Sequence, residues 1–432
     1  MTTATIKADS TLSRAVHDFV RRDFSPHYGQ LETEFATDPL WRRFVDLGTQ
    51  LWLDSGNFAE VGQVWTREFS ALTTNNTLLN KEVQTGTYDD LITEAADLLS
   101  GFENLTEQEF ILEMAFILNA THGLRLVEKF DAFVSVEEHT DLAHDVERSV
   151  EYARRYYAIC PERFYVKIPF TPSGLLATRR ARHEGIPINH TLGFSARQNY
   201  VITRLARPNF VNVFLGRLNS FVSENDLGDG EYVGEKATLA SQELVRSLRQ
   251  GRGLETFQIG ASFRSWDQYL RLAGIDVITA PPKVAKELHQ REDELPAIKS
   301  QLGSNYAPGI RDGVDPNRIG LDTLWYVDDE LINCVDDLEQ EDIDSFDGED
   351  LIGFFESHGC SDFLVRWSKA QAATSFEEGK IPKLGNWADA LAGRSVGLDS
   401  LMNLAGLNTF AADQKEMDRH IMDVLRRAAS GG

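Results

Sequence analysis

The sequence is poor in cysteine, with three in 432 residues, at positions 160, 334 and 360. An odd number of cysteines without CxxC spacing argues against a disulfide scaffold or a zinc ribbon. Basic residues are also scarce, since 43 Lys and Arg against 67 Asp and Glu give a net charge of −24. So acidic a chain is a poor candidate for binding nucleic acid or an anionic membrane, and an anionic ligand would need a local arginine cluster.

Long apolar runs are missing as well. The first sixteen residues, MTTATIKADSTLSRAV, contain no apolar stretch of signal-peptide length. No later run of about 18 apolar residues indicates a membrane span. We therefore expect a cytoplasmic protein without a membrane partner. The composition is 42% hydrophobic and 25% charged, enough for a large core and one or two domains.

A regular alternation of elements follows an N-terminal segment. We predict helices within residues 1–48. Ser10 or Thr11 would cap the first, and another would begin at Asp38 and Pro39. Helical periodicity then separates eight short apolar runs, at residues 50–54, 70–75, 132–137, 164–169, 188–194, 210–215, 257–262 and 276–280. Two of the intervening helices are predicted at 174–183 and 283–292. This pattern predicts an α/β fold with a parallel sheet, either a (β/α)₈ barrel or an open doubly wound sheet.

Polar residues at the ends of these runs favour the barrel. They are Asp54, Thr74, Asn75, Glu137, Lys167, Asn189, Thr191, Asn212 and Ser262. In a barrel those ends converge on one mouth, where active sites lie. The strand period of two places Asn189 and Thr191 on one face and His190 on the other. An inward face that carries Asn and Thr is costly unless these groups line a polar pocket.

The character of the chain changes after the eighth run. We predict a catalytic barrel over 49–330, an acidic and largely helical insert over 331–400, and a closing helix over 401–432, centred on about 410–427. Nine acids occupy the fifteen positions 336–350. A calcium loop starting at Asp342 would need an oxygen ligand and then glycine where Phe346 and Asp347 stand. The stretch is therefore predicted to be a solvated loop or helix face.

Lys167 is the only charged residue of the apolar run FYVKIPF. A strand buried on both faces has no cheap place for an ammonium group. Taken alone, Lys167 is as well explained by an ion pair as by a reactive amine. Asp54, Glu137 and Thr191 at other strand ends favour a Schiff-base site, because two carboxylates could move the protons that imine formation requires. The amine must then be neutral, and burial lowers the pKa of a lysine.

Two arginines predict an anion site. Arg217 follows the sixth run, and Ser262 and Arg264 follow the seventh. Forked guanidinium donors and a hydroxyl suit a phosphate, which barrels often bind at their later loops. Ordinary surface arginines are the alternative. No metal or redox cofactor is expected, because His139 and His144 join no ligand pattern and residues 251–256 lack a complete dinucleotide loop.

Nine segments, taken in order, resemble the transaldolase family. They are LDSGN (53–57), TTNNTLLN (73–80), VSVE (134–137), VKIP (166–169), GIPINHTLGFS (185–195), VFLGRL (213–218), GASFR (260–264), VITAPPKVAKEL (277–288) and FAADQKEMDRHIMDVL (410–425). The resemblance covers roughly residues 45–325 and 400–427, and one motif follows each strand. It implies a TIM barrel whose Schiff-base lysine is Lys167, on the fourth strand.

The resemblance also implies roles for the other residues. Asp54 would take the proton of the substrate C4 hydroxyl, and Glu137 would work with Thr191 and a held water on the carbinolamine. The remaining implied contacts are to substrate, from Asn75, Asn189, Phe214, Arg217, Ser262 and Arg264. Asn212 replaces a serine of the family, so contacts to the donor C1 hydroxyl could differ. Asn76 replaces the proline of TTNP, which is expected to loosen that loop, and the acidic insert has no counterpart.

The expected activity is that of a transaldolase of the pentose phosphate pathway. It would transfer a dihydroxyacetone unit from fructose 6-phosphate or sedoheptulose 7-phosphate to erythrose 4-phosphate or glyceraldehyde 3-phosphate. The resemblance implies sugar-phosphate ligands, no cofactor and no metal, and a homodimer. One alternative is an aldolase like fructose-6-phosphate aldolase that releases free dihydroxyacetone. Another is a catalytically silent scaffold that binds sugar phosphates.

Overall fold

The computed structural model describes residues 7–29, 34–103 and 105–431. Within them, parallel strands pair in chain order, and the last pairs with the first to close a barrel. The strands are β1 Gln50–Asp54, β2 Phe69–Thr73, β3 Phe133–Glu137, β4 Phe164–Pro169, β5 Ile188–Thr191, β6 Phe210–Phe214, β7 Phe257–Ala261 and β8 Val277–Ala280. The (β/α)₈ prediction is confirmed, and the open doubly wound sheet is ruled out.

Four strands, β2, β5, β6 and β7, end before the apolar runs that predicted them, and in two of these a residue with positive φ ends the strand. β5 ends at Thr191 because Leu192 has a φ of +61°, a left-handed conformation that a strand does not accommodate. β7 ends at Ala261 for the same reason, since Ser262 has a φ of +66°. Each turn redirects the chain just where it reaches the mouth of the barrel.

The lower half of the barrel interior is an aromatic plug. The ring centroid of Trp52 lies 4.7 Å from that of Phe210 and 5.9 Å from that of Tyr165. Tyr165 and Phe210 are 5.0 Å apart. Ile259 and Val277 pack with these rings in a cluster separate from the main core between barrel and helices. Because the plug fills this half, a cavity can form only toward the C-terminal ends of the strands.

Helices surround the barrel and continue beyond it. Those of the described residues are α1 Thr11–Arg21, α2 Pro39–Asp46, α3 Phe58–Gly62, α4 Asn76–Val83, α5 Asp89–Ser100, α6 Glu107–Phe130, α7 Val146–Ile159, α8 Pro172–His183, α9 Ala196–Leu205, α10 Leu215–Glu224, α11 Val233–Arg252, α12 Asp267–Arg271, α13 Pro282–His289, α14 Asp329–Leu338, α15 Gly348–Ser357, α16 Lys369–Glu378, α17 Leu384–Ala392 and α18 Leu398–Gly431. As predicted, Ser10 caps α1 and Asp38 caps α2. Residues 1–6 and 30–33 of the predicted N-terminal segment lie outside the described residues.

The two crossover helices predicted at 174–183 and 283–292 have different bounds. α8 begins at Pro172 because the Thr171 hydroxyl caps it, accepting a hydrogen bond from the Gly174 N–H at 2.8 Å. α13 begins at Pro282 and ends at His289. Both helices carry proline in the first turn, where its missing N–H removes no intrahelical hydrogen bond.

Within residues 7–29, 34–103 and 105–431, one helix, α6, is long and apolar enough to cross a membrane by length and composition. In its most apolar window 78% of the residues are buried inside the protein. Such burial is typical of a helix packed into the interior of a fold.

The acidic stretch of the insert is largely exposed, as its composition predicts, with eight of the nine acids at 336–350 exposed to solvent. Two of the acids, Glu339 and Asp344, nevertheless pair with arginines of the barrel. Glu339 accepts a hydrogen bond from Arg204 of α9 at 2.9 Å and another from Arg252 of α11 at 3.2 Å. Asp344 accepts one from Arg179 of α8 at 2.8 Å. These partners are 87 to 165 residues away in the sequence. These two acids therefore fasten the insert to the outer helices of the barrel.

The last helix, α18, is longer than predicted. It begins at Leu398, within the stretch assigned to the insert, and its 34 residues pass from α16 of the insert to α4 and α5 of the barrel. It begins this early because its first turn is held by Arg197 of α9, which donates to Asp399 at 2.7 Å. The division of the chain into four domains stays a prediction.

Candidate active site

The ends of the strands meet at a cavity of about 220 Å³ in the mouth of the barrel. Ten of the predicted site residues line it, namely Asp54, Asn75, Lys167, Asn189, Thr191, Asn212, Phe214, Arg217, Ser262 and Arg264. The eleventh, Glu137, is buried beside Lys167. Side chains from six strands and the loops after them thus face one small space.

Lys167 is almost fully buried, with 4% of its surface exposed. Its Nζ donates hydrogen bonds to the Thr74 carbonyl at 2.9 Å and to Glu137 Oε2 at 3.0 Å. Glu137 and Lys167 are directly paired in register on β3 and β4. The lysine is therefore ion-paired, and its partner is also a group that could take up or return a proton during chemistry at the amine.

The two carboxylates of the site are held in a similar environment. Burial raises the pKa of Asp54, whereas Lys167 and a hydrogen bond from Thr73 oppose this rise. Thr73 Oγ1 donates to Asp54 Oδ1 at 2.7 Å. Burial also raises the pKa of Glu137, again opposed by Lys167. Carboxyl groups with raised pKa values exchange protons more readily near neutral pH than ordinary carboxylates do.

Asn189 and Asn212 form a linked pair of amides. Asn189 donates to Ser135 Oγ at 3.1 Å and accepts a hydrogen bond from Asn212 at 3.2 Å. Asn212 also donates to the His190 carbonyl at 3.0 Å and accepts one from the Gly193 N–H at 3.2 Å. Asn212 therefore stabilises the turn after β5, in addition to any contact that it makes with a ligand.

Thr191 and His190 lie on opposite faces of β5, as predicted. His190 points outward, with its Nδ1 2.9 Å from the Thr178 hydroxyl of α8. Thr191 lines the cavity and is fully buried. Its hydroxyl has no hydrogen-bond partner among the described residues. A buried hydroxyl without a partner indicates a place where a ligand or a water completes the site.

Arg217 is the clearest sign of an anion site. It is buried, and its Nη1 has no hydrogen-bond partner in the described part of the chain. Its Cζ lies between the rings of Phe214 and Phe410, at 5.7 and 5.6 Å from their centroids. Burial, followed by the neighbouring Arg264, lowers the pKa of Arg217 to about 10. A desolvated cation next to a second cation is costly unless an anion binds there.

A glycine brings the two loops of this anion site together. A Cβ on Gly216 would lie 2.1 Å from the Ser262 carbonyl oxygen and 2.6 Å from the Arg264 Cγ. Any side chain at this position would force the loops after β6 and β7 apart. Arg217, Ser262 and Arg264 can therefore face one ligand only with glycine at 216.

The loop after β2 is tied down where the sequence predicts loosening. Asn75 caps α4, accepting a hydrogen bond from the Leu78 N–H at 2.9 Å. Asn76 is buried and donates to the Glu138 carbonyl at 3.2 Å and to Gln414 Oε1 of α18 at 2.7 Å. Contrary to expectation, Asn76 thus restrains the loop with side-chain hydrogen bonds where the family has proline.

Nine lining residues were not predicted as part of the site, and three of them are Thr73, Thr279 and Phe410. All three lie inside the segments that resemble the family. Thr73 and Thr279 Oγ1 atoms are 2.8 Å apart and join β2 to β8 beneath Asp54. Their inward direction follows from strand periodicity, whereas the position of Phe410 depends on how α18 crosses the mouth.

The histidines considered as metal ligands do not share a site. His139 Nδ1 accepts a hydrogen bond from the Asp141 N–H at 3.0 Å, and its Nε2 lies 3.4 Å from Asp418 of α18. His144 lines a different cavity, beside Phe170 and residues of the insert. Residues 7–29, 34–103 and 105–431 contain no cluster of three or more His, Cys, Asp or Glu side chains that could hold a metal ion.

Comparison with known proteins agrees with this geometry. The profile of the family described as Transaldolase/Fructose-6-phosphate aldolase matches residues 51–347. A transaldolase of Xanthomonas euvesicatoria is 31% identical over 232 residues, which cover 52% of this chain and 71% of the relative. A probable transaldolase of Dictyostelium discoideum is 26% identical over 266 residues, covering 60% and 81%. A transaldolase of Photorhabdus laumondii is 29% identical over 251 residues, covering 56% and 77%.

The matched region contains the whole barrel from β1 to β8, including every strand end that lines the cavity. It ends within the insert, so α18 lies outside it. From the extent of this match together with the closed eight-stranded barrel, we conclude that the chain belongs to the transaldolase/fructose-6-phosphate aldolase family.

Proposed function

We propose that this protein is a transaldolase that works through a Schiff base on Lys167. The observation that carries the proposal is the buried Lys167 amine, hydrogen-bonded to Glu137, in the same cavity as the unpartnered Arg217. An amine nucleophile and an anion site in one small cavity suit a phosphorylated carbonyl substrate. Fructose 6-phosphate or sedoheptulose 7-phosphate would be the donor.

The phosphate group would be bound at the far side of the cavity. Arg217 offers a free guanidinium edge, and Ser262 and Arg264 line the same wall. Binding there would fix the sugar chain, and the amides of Asn75 and Asn189 would orient its hydroxyls. This positioning brings the C2 carbonyl to Lys167 and the C4 hydroxyl to Asp54.

The chemical steps need an amine, two carboxyl groups and a water. The Lys167 amine adds to C2, and Glu137 with Thr191 handles the protons as the carbinolamine loses water to become an iminium ion. Asp54 takes the C4 hydroxyl proton, the C3–C4 bond breaks, and its electron pair moves into the iminium to give an enamine. The first aldose phosphate leaves, the enamine carbon attacks the aldehyde of erythrose 4-phosphate or glyceraldehyde 3-phosphate, and Asp54 returns its proton to the oxygen of that aldehyde. Water then releases the new ketose phosphate from Lys167.

The proposal extends to the location, the pathway and the oligomeric state of the enzyme. We propose a cytoplasmic enzyme of the pentose phosphate pathway that needs neither metal nor cofactor and acts as a homodimer. The steps above support the independence from a cofactor, because the lysine imine itself accepts the electron pair of the broken bond.

Borohydride trapping tests the Schiff base. Incubation with fructose 6-phosphate and sodium borohydride should add a reduced three-carbon unit to Lys167, located by peptide mass spectrometry. Lys167→Met should abolish both the adduct and turnover, a loss of about 10⁴-fold or more. Lys236→Met is a matched control, since its Nζ contacts Asn305 outside the cavity at 3.1 Å. An adduct on another lysine, or an unaltered rate in Lys167→Met, would contradict the proposal.

The family also contains aldolases, so the fate of the three-carbon unit needs its own test. A coupled assay with and without an acceptor aldehyde separates transfer from release. A transaldolase should turn over fructose 6-phosphate only when the acceptor is present. Turnover independent of acceptor would indicate an aldolase that releases dihydroxyacetone. Binding of sugar phosphate without an adduct or turnover would indicate a silent scaffold.

A further inference from the structure

The turn after Thr191 has a conformation that the chain alone does not favour. Leu192 has a φ of +61°, in the left-handed region that side chains with a Cβ rarely adopt. Leu192 and Thr191 are both fully buried. Such a conformation persists only where the surrounding structure holds it. The contacts that hold Leu192 therefore also determine where Thr191 points.

Asn212 accepts a hydrogen bond from the Gly193 N–H at 3.2 Å in this turn, and further contacts come from α18. Asn403 Nδ2 donates a hydrogen bond to the Leu192 carbonyl, and Asn403 Oδ1 accepts one from Gln198 Nε2. Gln198 Oε1 in turn accepts from the Phe194 N–H at 2.9 Å. A Cβ on Gly406 would lie 2.9 Å from Leu192 Cδ2, so the helix fits closely over the turn. Asn403 closes a ring of hydrogen bonds around residues 192–198.

The first turn of α18 is itself anchored to the same loop. Asp399 accepts hydrogen bonds from Ser195 Oγ at 2.6 Å and from Arg197 Nε at 2.8 Å. Arg197 also donates to Asp362 of the insert at 2.9 Å. Asp399 lies just before residues 400–427, the closing stretch that resembles the family, and Asn403 lies near the start of that stretch. The anchor thus joins the insert and the loop after β5 to the first turns of α18.

We infer that Asn403 is a positioning residue that holds the Leu192 turn and so aims the Thr191 hydroxyl at the reacting amine. The inference rests on the proposed function, in which Thr191 and Glu137 handle the protons of the carbinolamine. The Thr191 hydroxyl has no partner among the described residues, so its direction is set by its backbone. Without Asn403, Leu192 can leave the left-handed region and turn Thr191 away. Arg217 and Arg264 lie on the segments after β6 and β7, so we expect phosphate binding to depend less on this turn than the proton transfers do.

The test compares two asparagines of one helix. Asn403→Ala removes both hydrogen bonds, and Asn403→Asp keeps the acceptor for Gln198 but loses the donor to Leu192. Asn408→Ala is the matched control, because Asn408 donates to Ser375 of the insert at 3.1 Å, away from the site. For each variant we would measure Tm, kcat and KM for fructose 6-phosphate with acceptor, and the rate of borohydride-trapped imine formation on Lys167.

We expect both Asn403 variants to lower kcat and the rate of imine formation by about tenfold or more, with KM changed less than about twofold. Asn408→Ala should match the wild type in all three. In a Thr191→Ala background, Asn403→Ala should add little, because the group that it positions is gone. An equal loss in both backgrounds, or a wild-type rate in a folded Asn403→Asp, would overturn the inference. A wild type that forms no imine on Lys167 would instead overturn the proposed function, and this inference with it.

Discussion

The interior of the barrel has two layers built from the same strands. Trp52 and Asp54 lie two residues apart on β1, and Tyr165 and Lys167 lie two residues apart on β4. The strand period of two sends all four side chains inward. The lower layer is a plug of aromatic rings, and the upper layer is a cavity lined with charges and amides. Backbone geometry is shared, so side-chain chemistry alone separates packing from function.

The two layers differ most in what surrounds their unpaired polar groups. Among the described residues, Thr191 Oγ1 and Arg217 Nη1 of the upper layer lack hydrogen-bond partners but face a cavity that a substrate could fill. The indole N–H of Trp52 in the lower layer lacks a partner among the same residues, yet rings pack around it, with the Phe210 centroid 4.7 Å away. An unpaired polar group thus indicates a ligand only where there is room for one. In the plug it is a cost that ring packing offsets.

Truncating the plug should have the largest effect on stability. Trp52→Ala deletes a fully buried ring at the centre of the lower layer and leaves a cavity, so we expect a loss of about 3–5 kcal/mol in the free energy of unfolding. Urea denaturation measures the loss. The kcat of the remaining folded protein should stay within about twofold of wild type, because no reacting group has moved.

Asp54→Asn is the counterpart of that variant in the upper layer. Because burial raises the pKa of Asp54, its ionised form weakens the fold at neutral pH, and a neutral amide should leave the urea midpoint unchanged or higher. Turnover should nearly vanish. If Trp52→Ala lowered kcat as strongly as it lowered stability, the separation of the two layers would be wrong.

Removing one cation of the anion site should have an intermediate effect. Arg264→Ala is expected to raise KM for phosphorylated donors by about 10- to 100-fold, the value of a charge-assisted hydrogen bond or two. Use of unphosphorylated dihydroxyacetone should change far less. Arg291→Ala is a suitable control, because Arg291 stacks on Trp266 outside the cavity, at 5.3 Å. Equal effects on both kinds of donor would show that Arg264 does not bind the phosphate group.

Strand ends were predictable because two local signals coincide there. An apolar run ends in a polar residue, and the barrel rule places all such ends at one mouth. The turns after them were not predictable, since Leu192 and Ser262 adopt positive φ although neither is glycine. Only tertiary contacts, such as that of Asn403 with Leu192, stabilise such a turn. The sequence around position 192 contains no sign of a partner two hundred residues away.

The insert teaches the same lesson about charge. Composition describes how acidic a segment is, whereas the arginines that pair with the segment lie on helices that precede it in the sequence. Arg204 is buried and pairs with Glu339 across 135 residues. An acidic run therefore predicts an exposed segment, and most of these acids are exposed, but it does not predict which of them pair with the barrel. That pairing depends on the fold, which local sequence does not determine.

The smallest expected effect lies at the boundary between the layers and concerns pH. Thr73 donates to Asp54 at 2.7 Å, which opposes the rise that burial causes in the pKa of that carboxyl. Thr73→Val removes the donor at nearly constant volume, so the pKa of Asp54 should rise further. The acid limb of kcat/KM should then move to higher pH by about 0.5–1 unit, since one hydrogen bond is worth about 1 kcal/mol and one pKa unit 1.36 kcal/mol.

Thr279→Val is the control for that shift. Thr279 contacts the Thr73 hydroxyl at 2.8 Å, whereas the carboxylate receives its hydrogen bond from Thr73. The acid limb reports Asp54 and Glu137 together, because the two carboxyl groups lie beside the same lysine. Burial raises the pKa of each, and Lys167 opposes both rises. A shift in Thr73→Val that exceeds the shift in Thr279→Val assigns the limb to the Asp54 side of the pair. A limb that moves in neither variant would mean that Asp54 does not take the proton, since loss of the Thr73 hydrogen bond to Asp54 would then have no effect on the rate.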